Sequence, residues 1–488
     1  MEFETIIGLE VHAQLLTRSK MYCGCSAAYA AAEPNTHVCP VCLGLPGALP
    51  VINHDAVIDT VMTGLALNCT IPSFCKFDRK NYIYPDLMKG YQISQYDLPL
   101  CVEGYLDFVV EGAAQHVGIR RVHLEEDTAR LVHRTVAGES FSLVDVNRSG
   151  VPLMEIVTDP DLRSPEVARL LLIGLRQILR YIGVSTGNME EGAFRVDANI
   201  SQRTVDGSLV GAKVEIKNMN SFRAVERALA YEVERQREIL SSGGRIEQET
   251  RGWDDARGVT LGQRSKEYAH DYRYFPEPDL PPLTLSPAEV SEIAARMPEL
   301  PRARAERFVA AYALAPAEAA LLTEERAVAD YYEATVAGEP RFARPAATWI
   351  SGELFALMRE RGLGIEAINV SPARLRRLIE LVEQGTINLR TAKGVLLAVE
   401  ETGAEPEAIV RERGLAQVSD VARLEQIIRE VIDHNPDAVA DYHGGKQAAA
   451  GFLIGQVMKQ MRGTANPSVA RQLLTDLLDH ARTEVDTD

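Results

Sequence analysis

Three short segments of the chain place ionisable side chains at every second position. In Gly8-Leu-Glu-Val-His-Ala-Gln-Leu15, one face holds Glu10, His12 and Gln14 and the other Leu9, Val11, Ala13 and Leu15. Residues 194–201 set Arg195, Asp197, Asn199 and Ser201 against Phe194, Val196, Ala198 and Ile200, and residues 213–217 set Lys213, Glu215 and Lys217 against Val214 and Ile216. Residues 119–126 alternate less cleanly and end in Glu125-Glu126. Period two is the signature of strands with one packed face. Carboxylates gathered on one face repel unless cations join them, and magnesium with nucleotide phosphates would satisfy them. Solvated outer faces are the plainer alternative for any one strand.

The stretch Val144-Asp-Val-Asn-Arg-Ser-Gly-Val-Pro-Leu-Met-Glu-Ile156 carries most information. It reads as a strand, a tight turn at Asn147-Arg148-Ser149-Gly150, and a second strand, with glycine supplying backbone angles closed to other residues. Leu153, Glu155 and Val157 then share one face, with Met154 and Ile156 on the other.

All 7 cysteines precede residue 102. Cys23-x-Cys25 and Cys39-Pro-Val-Cys42 form two close pairs, a spacing suited to tetrahedral zinc, and four thiolates leave no open position for catalysis. His37 lies in the intervening loop, and free thiols in a reduced compartment are the alternative. Cys69, Cys75 and Cys101 read as small buried residues.

These groups need a scaffold. At 488 residues the chain has room for two to four domains, and 46% hydrophobic with 25% charged residues is ordinary for a globular protein. A net charge of −17 argues against coating nucleic acid nonspecifically but leaves room for a local basic patch. No secretory signal or membrane-length apolar run is visible, so a cytoplasmic protein with no membrane partner is expected. The first part is strand-rich with inserted helices. Ser164-Pro165-Glu166 starts one whose stripe is Val167, Leu171, Leu175, Ile178 and Ile182, and Ser221 starts another with Phe222, Val225, Leu229 and Val233. The proline-rich run 274–282 closes this part. Thereafter the chain reads as helix, from a capping box at Ser286-Pro-Ala-Glu289 through a helix at Ser371-Pro372 to three tail helices. The expected class is α+β: a mostly antiparallel sheet domain over 1–290, helical domains over 291–405 and 406–488. Between Tyr442 and Thr475 the tail has Lys446, Lys459, Arg462 and Arg471 and no acid, which fits either a phosphate backbone or ordinary snorkelling cations.

Residues 144–156 resemble a motif of the B subunits of glutamyl/aspartyl-tRNA amidotransferases. So do Gly8-Leu-Glu-Val-His12, Arg79-Lys-Asn-Tyr-Ile-Tyr-Pro-Asp86, Lys89-Gly-Tyr-Gln-Ile-Ser-Gln95, Glu215-Ile-Lys-Asn-Met-Asn-Ser221 and Asp271-Tyr-Arg-Tyr-Phe-Pro-Glu-Pro-Asp279, with Gly444-Gly-Lys446, 451–459 and Ala465-Asn-Pro467 in the tail. The resemblance runs in order over essentially the whole chain. It implies a cradle-shaped catalytic domain related to glutamine synthetase, then a helical domain, then a tail that touches tRNA. The implied reaction is repair of mischarged Glu-tRNA(Gln) or Asp-tRNA(Asn): ATP phosphorylates the side-chain carboxylate and ammonia displaces phosphate. On this reading Glu10, His12, Glu125 and Glu155 form the magnesium set. Lys80, Lys89, Asn147 and Arg148, with Gly150 in the turn, hold phosphates or the acidic substrate, and Arg195, Asp197, Glu215 and Lys217 complete the rim. Tyr82, Tyr84 and Tyr91 are able to stack on adenine or pack in the core. No amidase-type nucleophile is present, and Ser241-Ser242 reads as a helix stop. The resemblance therefore implies an amidase subunit and a small clamp subunit as partners, alongside the mischarged tRNA. A non-catalytic RNA-binding protein and a free-standing kinase-like enzyme are the competing readings.

Overall fold

The alternating segments become neighbours in one sheet. The structure is a computed structural model that describes residues 2–206, 211–265, 272–416, 421–461 and 467–485. Its eight-stranded sheet runs in the order Val259–Ser265, Glu249–Asp254, Val214–Met219, Phe194–Thr204, Phe3–Gln14, Pro152–Thr158, Ala113–Glu126, Cys101–Val110. All neighbours are antiparallel except Val214–Met219 and Glu249–Asp254. That parallel pair needs a crossover, and helix Phe222–Ser241 supplies it.

Alternation decides the two faces. Leu9, Val11, Val122, Leu124, Met154, Ile156, Val196, Ala198, Val214 and Ile216 are buried in one cluster with residues of the helices His54–Ala66, Pro165–Tyr181 and Phe222–Ser241. The helices begin where capping chemistry places them: Ser164 accepts from Val167 N at 3.2 Å and Ser221 from Ala224 N at 3.1 Å. Leu171, Leu175, Ile178, Val225, Leu229 and Val233 are buried as their spacing requires. At about 25 cal/mol per Å² of buried apolar surface, this layer holds one face of the sheet against the helices and leaves the other for polar groups.

The 144–156 segment differs from its expected hairpin. Glu139–Asp145 pairs with Arg130–Val136 in a separate two-stranded sheet, a one-turn 3-10 helix Val146–Arg148 follows, and only Pro152–Thr158 joins the main sheet. Asp145 caps the turn by accepting from Asn147 N at 3.1 Å, and Gly150 at φ +84° redirects the chain.

The chain divides into two compact units, Met1–Pro301 and Arg302–Asp488. Helix Pro287–Ala295, with the capping box at Ser286, belongs to the first, where Ile293 joins the sheet cluster. The second unit is helical and holds two apolar clusters. One runs from Phe308 to Val410, with Phe342, Tyr332, Leu375 and Val395 fully buried; the other joins Leu424, Ile428, Leu453, Val457 and Leu474. Among the described residues, 406–488 holds two helices beyond the three expected, Pro406–Glu412 and Pro436–His443. None of the described helices is long and apolar enough to cross a membrane.

Candidate active site on the polar face of the sheet

Register brings the polar residues together. His12 stands opposite Arg195 on one side and Glu155 on the other, and Glu155 stands opposite His123. The row Arg195, His12, Glu155, His123 thus crosses four strands. Glu125 lies one pair further along and closes the group. His12 Nε2 is 3.4 Å from Glu155 and 3.6 Å from Glu125; His123 Nε2 is 3.4 Å from Glu155 and 3.8 Å from Glu125.

Charge balance shows what this group wants. Burial disfavours a charged imidazole, yet Glu155 and Glu125 outweigh it: His12 is raised above the usual histidine range and His123 is pushed up to about 9. Burial likewise disfavours the carboxylates, but the imidazoles keep both below the ordinary glutamate value, with Lys80 also acting on Glu125. Two buried carboxylates demand positive charge at this spot, and a divalent cation meets the same demand with oxygen and imidazole ligands. Ligand atoms of His12, Glu125 and Glu155 lie within 4.8 Å of one another.

Lys80 and Arg195 flank the trio. Lys80 Nζ sits over Tyr272 at 5.1 Å and Tyr82 at 5.8 Å. Burial works against its charge, but Glu125, Tyr274 and Glu155 hold it above the ordinary lysine range. Arg195 Nη2 donates to Asp127 at 3.0 Å, while its Nε is buried with no hydrogen-bond partner. A buried, unsatisfied guanidinium N–H is a costly arrangement, and an anionic substrate oxygen would relieve it.

Several expected site residues have other duties. Glu10 does not join His12; it groups with Asp197 and Glu215. Asn199 donates to Glu10 at 2.9 Å, and Lys217 bridges Asp197 at 2.5 Å and Glu215 at 3.1 Å. Asn147 is fully buried, and its amide is turned to the cysteine loop, accepting from His37 N and donating to Glu33 O, each at 2.7 Å. Arg148 donates to the carbonyls of Thr128 at 2.9 Å and Ala129 at 3.0 Å and faces Asp127 at 3.7 Å. Lys89 pairs with buried Glu126 at 2.5 Å, beside a cavity of about 200 Å³ lined also by Cys42, Gly150 and Asp279. Of the aromatics, Tyr91 lies under Arg79 at 4.3 Å, Tyr82 is edge-on to Tyr272, and Tyr84 is exposed. Ser242 caps its helix by donating to Ile239 O at 2.8 Å, a stop as expected.

The sequence reading missed His123, Arg121 and Asp127. Arg121, His123 and Glu125 do alternate, but a register shift between Ile119 and Arg121 hides the phase of the first half of the strand. Asp127 is fully buried and held below the ordinary range: burial opposes its charge, while Arg195, Arg148 and a 2.6 Å hydrogen bond from Gln14 more than offset it.

The four cysteines converge. Their sulfurs lie within 4.8 Å of one another, and Cys39 and Cys42 Sγ are 3.9 Å apart. Thiolates on a tetrahedral zinc at about 2.3 Å sit about 3.8 Å apart, so the donor set fits. The Cys42 thiol is lowered to about 4, chiefly by a hydrogen bond from Cys23 and with help from nearby Lys20, while Cys23 is raised. Cys69, Cys75 and Cys101 are buried as expected.

In the tail, Lys459 and Arg471 are exposed and Lys446 pairs with Asp441 at 2.7 Å; Arg462 lies outside the described residues.

Comparison with known proteins finds relatives over nearly the whole chain. Residues 5–291 match the family model for the GatB/GatE catalytic domain, and 330–478 that for the GatB domain. The chain is 70% identical over 478 residues to the B subunit of the aspartyl/glutamyl-tRNA(Asn/Gln) amidotransferase of Thermomicrobium roseum, covering 98% of this chain and 99% of that one. The corresponding B subunits of Dehalococcoides mccartyi (strain CBDB1) and Carboxydothermus hydrogenoformans are 55% and 52% identical, again over 98% of this chain and 99% of theirs.

Proposed function

The chain belongs to the family of B subunits of aspartyl/glutamyl-tRNA(Asn/Gln) amidotransferases, and from that premise we propose that the polar face of its sheet is where the aminoacyl carboxylate is activated and amidated. The family's reaction is ATP-dependent conversion of mischarged Glu-tRNA(Gln) or Asp-tRNA(Asn) to the amide, carried out by a multi-subunit enzyme. The observation that carries the assignment is the convergence of His12, Glu125 and Glu155 beside Lys80 and the unsatisfied Nε of Arg195.

A carboxylate resists nucleophiles because its charge repels them, and phosphorylation supplies a leaving group. His12, Glu125 and Glu155 would hold Mg²⁺, which when bound neutralises phosphate charge. Lys80, kept cationic by its surroundings, faces the same pocket and stabilises the anionic oxygens of the transferred group. Arg195, anchored through Asp127, presents its free N–H to the substrate carboxylate or the γ-phosphate. Tyr82 and Tyr272 lie edge-on to each other beside the Lys80 ammonium, and their role on this reading is to limit water, which would hydrolyse the acyl phosphate before ammonia arrives. Ammonia comes from a partner amidase subunit, with a small clamp subunit completing the complex. Zn²⁺ on Cys23, Cys25, Cys39 and Cys42 is structural. Lys459 and Arg471, with Lys446, contact tRNA in the tail.

The test is the reconstituted complex supplied with Glu-tRNA(Gln), glutamine and ATP. Glu125→Ala abolishes ATP-dependent Gln-tRNA formation and keeps tRNA binding. Turnover equal to the parent's would remove the pocket from the mechanism.

A further inference from the structure

The loop between the two cysteine pairs is stitched to the turn that leads into Glu155. Asn35 accepts from Val146 N at 2.8 Å and donates to Val144 O at 3.2 Å, and its own N–H reaches Asp145 at 3.1 Å. Asn147, fully buried, bonds His37 N and Glu33 O. Lys20 is also fully buried, and its ammonium joins both sides, donating to His37 O at 2.8 Å and Val146 O at 3.3 Å. Met21 N, two residues before Cys23, donates to Gly150 O at 2.7 Å. On its opposite side the turn is held by the backbone of Asp127: Gly150 N donates to Asp127 O at 2.9 Å and Asp127 N to Val151 O at 2.8 Å. The turn is therefore gripped between the sheet and the cysteine loop. A loop with no strand or helix of its own between Cys25 and Cys39 needs an external fix to supply such a grip.

We propose that the cysteine cluster, by fixing this loop, sets the position of Glu155 and hence the affinity of the acidic pocket for its divalent cation, with Asn35, Asn147 and Lys20 as the positioning residues that transmit the constraint. The inference rests on the two metal sites assigned above and adds the coupling between them. Asn35 is the residue to change. It is exposed, so its loss leaves no buried cavity, and its φ of +60° is one that glycine adopts freely. Asn35→Gly thus deletes the amide that ties Val144 and Val146 without straining the loop or touching a cysteine.

The experiment titrates the full-length chain with Mn²⁺ in the absence of nucleotide and reads bound Mn²⁺ by electron paramagnetic resonance. Parent and N35G are each measured as purified under reducing conditions, and again after thiolate-bound metal is stripped with an organomercurial that is then removed. Metal analysis accompanies each sample. N35G keeps its thiolate-bound metal at the parental stoichiometry and binds Mn²⁺ about tenfold more weakly, as losses outside the ligand shell do. Stripping weakens the parent to a similar degree and adds little to N35G, because both lesions cut one chain of contacts. Parental Mn²⁺ affinity in N35G, or two losses that multiply independently, overturns the coupling while leaving both metal sites standing. An E155Q control separates the premise: if E155Q and the parent bind Mn²⁺ alike, the acidic-pocket reading fails and takes the coupling with it. A parent purified without thiolate metal overturns the coupling alone.

Discussion

Two acidic trios sit on the same face of the sheet, two residues apart along the Phe3–Gln14 strand, and they answer one electrostatic problem differently. Glu10, Asp197 and Glu215 are partly exposed and have Lys217 among them. Glu125 and Glu155 are buried with His12, and the positive charge around them rests on imidazoles, on Arg121 at 4.0 Å from Glu155 and on Lys80 at a distance. An ammonium bonded to two carboxylates is a closed arrangement. Imidazoles are exchangeable: they give up a proton and become ligands when a divalent cation arrives. On the proposed function, the trio with histidine receives the metal and the trio with lysine does without one.

Removing a carboxylate from the histidine trio is the most damaging change. Glu155→Gln lowers ATP-dependent amide formation by at least about 10³-fold, since the pocket's charge stabilisation is worth several kcal/mol. Amide product and tRNA binding are scored side by side, and joint loss of both would mean unfolding instead.

Lys217→Ala converts the closed trio toward the open kind. The fold loses about 1–2 kcal/mol, because the three carboxylates lose their shared ammonium and keep neutral donors such as Asn199 at Glu10 and Thr250 at Glu215. Millimolar Mg²⁺ then raises the melting temperature of the variant more than that of the parent. Equal Mg²⁺ shifts in both proteins would show that Lys217 is not what closes the second trio.

A third acid, on the helix side, calibrates the argument. Burial and the nearby Asp55 push Asp59 up to about 7 from its ordinary 3.8, against a smaller opposing effect of Arg296. Between those values the folded chain binds the extra proton, so stability falls as pH rises from about 4 to about 7 and the deficit is complete above 7. Asp59→Asn removes the deficit. Its melting temperature matches the parent's at pH 4 and exceeds it at pH 8, by the equivalent of about 1–2 kcal/mol once partial exposure is allowed for. A gain of the same size at both pH values would assign it to packing.

The stretch from Tyr442 to Thr475 inverts the comparison, with cations and no acid. Lys459→Ala reduces tRNA affinity only a few-fold and lowers the salt slope of binding by about one unit, the signature of one phosphate contact. An unchanged slope would make Lys459 a solvated side chain.

Much of this was legible beforehand because period two fixes both partners of a strand face at once. Glu155 against Met154 and Ile156, and His12 against Val11 and Ala13, could be sorted without coordinates. The helix starts at Ser164, Ser221, Ser286 and Ser371 were equally plain, since capping is local chemistry. Register was not legible. Whether Glu10 or Glu125 joins His12 depends on which residues face each other across strands far apart in sequence, and no local pattern encodes that. The hold of Asn147 on the cysteine loop was hidden for a related reason: its partners, Glu33 and His37, lie more than a hundred residues away. His123 was hidden by a register irregularity. Buried amides and phosphate-binding amides look alike in a sequence.

The central claim, that the sheet's polar face builds one cation-fed pocket, is tested most directly by anomalous diffraction from crystals soaked in Mn²⁺. The account predicts a peak about 2 Å from carboxylate oxygens of Glu125 and Glu155 and from the His12 imidazole. A Mn²⁺ peak at Glu10, Asp197 and Glu215, with none at the histidine trio, would contradict it.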